Sequence, residues 1–192
     1  SSALTAGRYH FDFTMAFDRE VPLLPVFVWF YILAFPFWAV GYLLAARRGK
    51  DMFYRFVATD LTIHFICFIC FILIPTTNIR PEIPGNTLSE KILALVYSLD
   101  GGNSPSNLFP SIHCYVSWMC WKGVEGSEKV PKWYQRFSLV FAILIIISTQ
   151  VLKQHYIVDA AAALLLVEFF WRFYQKGQRH KWVVHVFAHK KK

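Results

Sequence analysis

Long uncharged stretches alternate with short polar segments along this chain of 192 residues. Stretches of such length and apolarity are what a helix needs to cross a lipid bilayer. Two further apolar stretches are interrupted only by His113, Asp159 and Glu168. The stretches without Asp, Glu, Lys or Arg include residues 21–46, 61–79 and 137–152, and the two interrupted ones are residues 108–121 and 156–171.

This pattern predicts an all-α fold: a polytopic membrane helical bundle with five to six transmembrane helices, forming a single domain over residues 1–192. Residues 1–20 alternate aromatic and polar side chains, which favours an interfacial N-terminal segment. Residues 176–192 read as a basic tail, and a shorter helix is expected near residues 88–99. The predicted spans are residues 22–46, 53–75, 111–126, 136–152 and 155–175.

Composition agrees with a membrane protein, because 56% of the residues are hydrophobic and 18% are aromatic. The net charge of +8 does not indicate a nucleic-acid partner, since the cations lie between apolar segments. If each span crosses once, 15 of the 20 Lys and Arg residues fall on one side. Loops rich in Lys and Arg face the cytoplasm. We therefore expect an integral membrane protein with a cytoplasmic C-terminus.

The candidate chemistry falls on the opposite, extracytoplasmic side. His155 and Asp159 lie four residues apart at the mouth of a predicted span, and His113 lies where another begins. Titratable groups are costly in a membrane and are usually functional there. A carboxylate that accepts a proton from one imidazole nitrogen makes the other nitrogen a better nucleophile. The alternative for this pair is a structural hydrogen bond at a helix end.

Several groups nearby suit a phosphate. Arg80 has a planar fork that matches phosphate oxygens, and Lys153 lies two residues from His155. Ser111 and the N–H of Ile112 stand at a helix start, where anions bind favourably. Ser148 would lie about 20° around the axis from His155 if one helix joined them. A chain reversal expected near residues 152–155 weakens that last argument.

Three motifs together resemble the signature of the type-2 phosphatidic acid phosphatase superfamily, over residues 55–175. That signature is K-x6-R-P, then P-S-G-H, then S-R-x5-H-x3-D. Three positions depart from it, because Leu73, Ile112 and Thr149 replace its lysine, glycine and second arginine. Lys153 is placed to supply part of the missing charge. The matching residues here are Arg80-Pro81, Pro110-Ser111-Ile112-His113 and Ser148-Thr149-x5-His155-x3-Asp159.

The segment from Asp100 to His113 is more similar to the branch containing inositol phosphorylceramide synthases and related bacterial proteins, which transfer phosphoryl headgroups between lipids. The resemblance therefore implies a protein of a bacterial cytoplasmic membrane that acts on a lipid phosphate substrate among membrane lipids. The oligomeric state stays open.

The resemblance implies catalytic roles for His113, His155 and Asp159, with phosphate held by Arg80, Ser111, Ile112, Lys153 and Ser148. The expected activity is a metal-independent lipid phosphatase that needs no cofactor, holds no metal and passes through a phosphohistidine intermediate. Its substrate would be of the phosphatidic acid or polyprenyl diphosphate type. One alternative is a headgroup phosphotransferase with an alcohol acceptor. Another is a non-enzymatic lipid-binding or transport protein that keeps the same scaffold.

Overall fold

The computed structural model describes residues 7–102 and 105–188, and within them it is helical with no strand. This confirms the predicted all-α class. Short segments N-terminal to the bundle are followed by the longer packed helices. In chain order the elements are α1 (Ala16–Glu20), a 3₁₀ turn (Pro25–Phe27), α2 (Val28–Ala46), α3 (Lys50–Leu73), α4 (Leu88–Leu99), α5 (Ile112–Val124), α6 (Lys132–Val151), α7 (Ile157–Gln175) and α8 (Lys181–Ala188).

Three helices in the described part of the chain are long and apolar enough to cross a membrane: Pro25–Ala46, Lys50–Leu73 and Lys132–Val151. The protein is therefore an integral membrane helical bundle, as predicted. Helix α5 has 13 residues, or about 20 Å, and is shorter than the roughly 30 Å hydrocarbon core of a bilayer. The count of five to six spans stays a prediction.

Helix α5 is the centre of the bundle, because it packs against α2, α6 and α7. Most of its side chains are buried, including Tyr115 and Met119, so little of this helix faces outward. Gly41 of α2 lets the two helices approach closely, since a Cβ there would lie 2.6 Å from the sulfur of Cys120. Helix α5 is thereby held inside the bundle, and its first turn carries His113 of the candidate site.

The N-terminal segment lies across the end of the bundle at which α3 and α6 end. Phe11 donates its N–H to the Pro75 carbonyl at 2.8 Å and accepts the N–H of Thr77 at 2.9 Å. The Leu24 N–H donates to the carbonyl of Val151 at 3.0 Å. The segment predicted to be interfacial is thus attached to the bundle over its described part, while residues 1–6 lie outside the described residues.

Part of the predicted basic tail is helical. Helix α8 packs on α3 through Val183, which is buried beside Ala58 and Tyr174. Just before it, the ring of His180 lies 2.9 Å from the carboxylate of Asp51. An eight-residue helix is unstable alone, so these contacts explain why sequence alone did not predict it. Residues 189–192 of the tail lie outside the described residues.

Candidate active site

Three turns of the chain meet where α5 and α7 begin. The N–H of Ser111, just before α5, donates to the carbonyl of Asp159 in α7 over 3.3 Å. The hydroxyl of Thr76, in the loop after α3, accepts the N–H groups of Leu108 and Phe109 at 2.9 and 3.0 Å. These hydrogen bonds hold the two histidine motifs side by side at one end of the bundle.

The reversal between α6 and α7 turns on Lys153. This residue adopts φ = 53°, the left-handed conformation that commonly ends a helix. The N–H groups of Gln154 and His155 then both donate to the Thr149 carbonyl, at 2.9 and 3.0 Å. The chain therefore folds back over the end of α6, and Ser148 and His155 do not share one helix. The separation of about 20° between Ser148 and His155 assumed that one helix joins them, and the structure does not contain such a helix.

His155 and Asp159 lie side by side at the start of α7. The Nδ1 atom of His155 lies 3.4 Å from the Oδ2 atom of Asp159, which is longer than a good hydrogen bond. The same carboxylate oxygen accepts the N–H of Tyr156 at 2.9 Å, which fixes it at the start of α7. Because Asp159 lies beside Nδ1, the Nε2 atom of His155 is the nitrogen that can react with a ligand.

His113 lies across from His155, with 6.1 Å between the ring centroids. Its imidazole stacks on the ring of Tyr31 at 4.3 Å, and Trp38 lies 5.1 Å away. The Nε2 atom of His113 is buried and has no hydrogen-bond partner within the described structure. The ring is therefore held by aromatic packing while one nitrogen stays available for a proton.

Both histidines line one cavity of about 700 Å³. Its size falls within the usual range for small-ligand sites. The wall is largely aromatic and aliphatic, with a polar patch on one side. The apolar lining includes Tyr31, Phe35, Trp38, Phe71, Leu99, Leu108 and Ile112, and the polar patch includes Asp100, Ser106 and Asn107.

The start of α5 offers donors to an anion. The hydroxyl of Ser111 caps the helix by accepting the N–H of Cys114 at 3.3 Å, and Ser111 is fully buried. A cap of this kind leaves the N–H groups of the first two helical residues without intrahelical partners. Those are the N–H groups of Ile112 and His113, at the positive end of the helix dipole.

Arg80 lines a neighbouring pocket with Lys153 and not the cavity of the histidines, and it is already paired with Asp100 of the cavity wall. Its guanidinium, which has no exposed surface, lies 2.5 Å from the carboxylate of Asp100 and 2.5 Å from the side-chain oxygen of Gln154. It also donates to the carbonyls of Asp100 and Gly102 at 2.9 and 3.1 Å. The predicted phosphate-binding cation therefore braces the loop after α4 in this structure.

Lys153 is occupied in a similar way. Its ammonium donates to the carbonyls of Asp18 and Val21 at 2.6 and 2.5 Å, and so ties the N-terminal segment to the reversal. Burial lowers the pKa of Lys153, and the negative charge of Asp18 opposes that shift. Ser148 is buried and donates to the Ile145 carbonyl at 2.6 Å, away from the histidines.

Sequence reasoning missed Asp18. Its buried carboxylate accepts the N–H of Ile157, the first residue of α7, at 2.9 Å and the N–H of Met15 at 2.8 Å. Ile157 lies two residues before Asp159, so Asp18 holds the helix turn that carries the carboxylate of Asp159. No local signal marks this residue, because Ile157 is 139 positions away in the chain.

Within residues 7–102 and 105–188, no group of three or more His, Cys, Asp or Glu side chains is arranged to hold a metal ion. Metal-independent chemistry stays a prediction. A family model described as the PAP2 superfamily matches residues 7–172 of the chain. No curated protein and no solved structure matches it.

Proposed function

This chain belongs to the PAP2 superfamily, and we propose that it is a membrane lipid phosphatase acting through a phosphohistidine intermediate. Membership in the superfamily supports activity of a phosphatase or phosphotransferase type. The lipid substrate and the intermediate are our proposal. One observation carries it: His113 and His155 open into the same aromatic-walled cavity, and the buried carboxylate of Asp159 lies behind His155.

In the first step, the lone pair of His155 Nε2 attacks phosphorus, and the bond from phosphorus to the lipid oxygen breaks. Asp159, 3.4 Å from Nδ1, stabilises the positive charge that develops on the ring. The carboxylate is kept in place by its hydrogen bond to the Tyr156 N–H. It therefore lies on the far side of the ring from the phosphate and does not repel it directly.

His113 transfers the proton. In its protonated form it gives a proton to the departing lipid oxygen, and the neutral ring then takes a proton from the attacking water. The oxygen of that water forms a bond to phosphorus as the N–P bond to His155 breaks. The two rings, with 6.1 Å between their centroids, line the same cavity, in which the phosphoryl group would lie.

The phosphate oxygens would be held first by the N–H groups of Ile112 and His113, with Ser111 shaping that turn. Arg80 supplies positive charge once its guanidinium is released from Asp100. Lys153 acts at longer range, because two carbonyls hold its ammonium. We assign Ser148 to the support of the α6 end.

The walls of the cavity favour a lipid over a soluble phosphate ester. Phe35 and Leu99 line the cavity and are largely exposed on the surface of the bundle, which lies in a membrane. A substrate with an apolar tail can therefore enter sideways from the bilayer and keep that tail in apolar surroundings. Phosphatidic acid and polyprenyl diphosphates are the substrate types that fit this route.

A phosphotransferase is the second candidate, and the polar patch of the cavity favours it. Asp100, Ser106 and Asn107 line the same cavity as the histidines. Oxygen and amide groups of this kind can hydrogen-bond an alcohol acceptor. The chemistry at His155 would be unchanged, and an alcohol would replace water in the second step.

The test is release of phosphate by the purified protein from a panel of phosphatidic acid and polyprenyl diphosphates in EDTA. His155→Ala is the diagnostic variant, and His10→Ala in the N-terminal segment is the matched control. We expect release that survives EDTA, is lost in His155→Ala and persists in His10→Ala. Acid-labile labelling of the protein by a radioactive substrate phosphate would trap the proposed intermediate.

Each other result has a defined meaning. Release that His155→Ala retains would overturn the assignment of the nucleophile. Transfer to an added alcohol without release to water would select the phosphotransferase. If a correctly folded protein shows neither activity, the remaining interpretation is a lipid-binding or transport protein.

We also propose that the site faces the extracytoplasmic side, because most cations lie at the other end of the bundle. Lys91→Cys in α4 should react with an impermeant thiol reagent in intact cells. Lys181→Cys in α8 should react only after permeabilisation, and the reverse pattern would invert the topology.

A further inference from the structure

A groove of about 390 Å³ runs along α7 at the end of the bundle far from the histidines. Its floor is formed by Leu165, Phe169 and Phe173, which follow one another at four-residue spacing and so share one face of the helix. Leu165 is 71% exposed and Phe169 is 62% exposed, so this apolar face is turned away from the protein core. The remaining lining residues are Glu168, Arg172, Lys176 and Arg179.

Three cations close the upper end of this groove. Arg179, in the turn after α7, lies over the ring of Phe173 at 4.3 Å, and so folds back above the apolar floor. The side chain of Arg172 is 76% exposed on the same face, and Lys176 follows one turn later. Apolar surface below and clustered positive charge above is the chemistry that recognises an anionic phospholipid.

The single acid of the groove does not cancel this charge. Glu168 accepts a hydrogen bond from the indole of Trp118 at 2.9 Å and lies 3.4 Å from the ammonium of Lys122. Its other oxygen lies 3.3 Å from Arg172. Lys122 is itself 2.9 Å from the carboxylate of Glu125, and the groove keeps a positive balance because its three cations face one acid.

The length of the groove matches one leaflet of a bilayer. From Leu165 to Lys176 the helix rises about 16 Å, at 1.5 Å per residue. Half of the hydrocarbon core of a bilayer is about 15 Å. An acyl chain lying along Leu165 and Phe169 therefore places its phosphate at the level of Arg172, Lys176 and Arg179.

We propose that this groove is a binding site for an anionic phospholipid of the leaflet opposite the candidate active site. The headgroup phosphate contacts the three cations, and one acyl chain covers the apolar floor of α7. A zwitterionic lipid would contact the same floor but carries no net charge, so it gains less from the cations. The site is independent of the proposed phosphatase activity.

Native mass spectrometry in mild detergent tests the site, with phosphatidylglycerol or phosphatidylcholine of identical acyl chains as probes. Every protein carries His155→Ala, so that turnover in the cavity cannot change the bound lipid. The diagnostic variant is Arg172→Gln with Arg179→Gln. The matched control is Lys132→Gln with Arg136→Gln, which removes two exposed cations of α6 at the same end of the bundle.

We expect phosphatidylglycerol to bind more tightly than phosphatidylcholine. Each cation near an anionic headgroup contributes roughly fivefold in affinity, so the diagnostic variant should bind phosphatidylglycerol about 25-fold more weakly. The control variant should change that affinity less than about threefold. Equal binding of the two lipids, or an equal loss in the control variant, would show ordinary boundary lipid and overturn the proposal.

Discussion

The histidines and the cations of the candidate site are held in opposite ways. His113 keeps its Nε2 atom without a hydrogen bond in the described structure, His155 turns its Nδ1 atom toward Asp159 and so leaves Nε2 for a ligand, and both rings line the cavity. Arg80 and Lys153 instead donate to oxygens of the protein itself. The groups that make and break bonds are thus ready for a ligand, whereas the groups that supply charge must first leave their partners.

This difference has an energetic consequence. A hydrogen bond to a charged group is worth about 1.5–3 kcal/mol, and Arg80 makes several of them. A phosphate that recruits Arg80 has to replace those bonds, so the net gain in affinity is small. The N–H groups at the start of α5 carry no such cost, because a helix start leaves them without partners.

The largest expected effect concerns the histidine side of this comparison. His113→Asn removes the proton donor but keeps a polar side chain of similar size, and we expect kcat to fall by about 10²- to 10⁴-fold. Tyr31→Phe keeps the ring that stacks on His113 and serves as the control. Steady-state kinetics on the best lipid substrate measure both. A fall of less than tenfold in His113→Asn would assign the proton to another group.

The next effect concerns the stability that Arg80 provides. Arg80→Gln leaves the side-chain oxygen of Gln154 and the carbonyls of Asp100 and Gly102 without the buried donor that they share, and we expect a loss of about 3–5 kcal/mol in the free energy of unfolding. Asp100→Asn should cost about 1 kcal/mol, because the asparagine keeps an acceptor oxygen for the guanidinium. Unfolding in denaturing detergent gives these values. The loss in the double variant should be about 1–3 kcal/mol smaller than the sum of the two single losses. A loss equal to that sum would show that Arg80 and Asp100 are not coupled.

Asp100→Asn also tests whether Arg80 is available to the substrate. Loss of the carboxylate frees one arm of the guanidinium, so KM should fall by about threefold, in line with a modest charge-assisted contact. A rise in KM would mean that Asp100 itself contacts the substrate or supports the cavity. Either result shows whether Arg80 can contact the substrate or is held by the protein, in contrast to the two histidines.

The arrangement around the histidines could be predicted from the sequence, because it depends on residues that are close together in the chain. The pairing of His155 with Asp159 follows from a four-residue spacing, and the cap at Ser111 follows from the residues beside it. Three of the five predicted spans follow from uncharged stretches in the same direct way. Features whose cause lies within one helix turn or one apolar stretch were therefore open to prediction.

The surroundings of Arg80 and Lys153 could not be predicted from the sequence, because their hydrogen-bond acceptors come from distant parts of the chain. Arg80 meets Gln154 across 74 positions, and Lys153 meets Asp18 across 135 positions. A lone sequence specifies which side chains carry charge but not which carbonyls will surround them. Helix α8 was missed for the same reason, since contacts with α3 stabilise it.

Asp18→Ala should lower kcat less than His113→Asn does, and it tests how the turn that carries Asp159 is supported. Asp18→Ala leaves the N–H of Ile157 unpaired and loosens the turn that carries Asp159, so we expect kcat to fall about tenfold with KM unchanged. Asp18→Asn keeps an acceptor oxygen and should recover most of kcat. Asp12→Ala, in the same segment, is the control. Equal losses in the alanine and asparagine variants would require the negative charge itself.

Lys153→Met is expected to change KM only slightly, and it tests the role of the cations most directly. The methionine keeps the apolar stem but cannot hold the carbonyls of Asp18 and Val21, so stability should fall by about 1–2 kcal/mol. KM should rise less than about threefold, because the ammonium is held by protein in the free enzyme. A tenfold rise in KM with unchanged stability would mean that Lys153 leaves both carbonyls for the phosphate. The cations would then be as ready for a ligand as the histidines, and the contrast between the two sides would disappear.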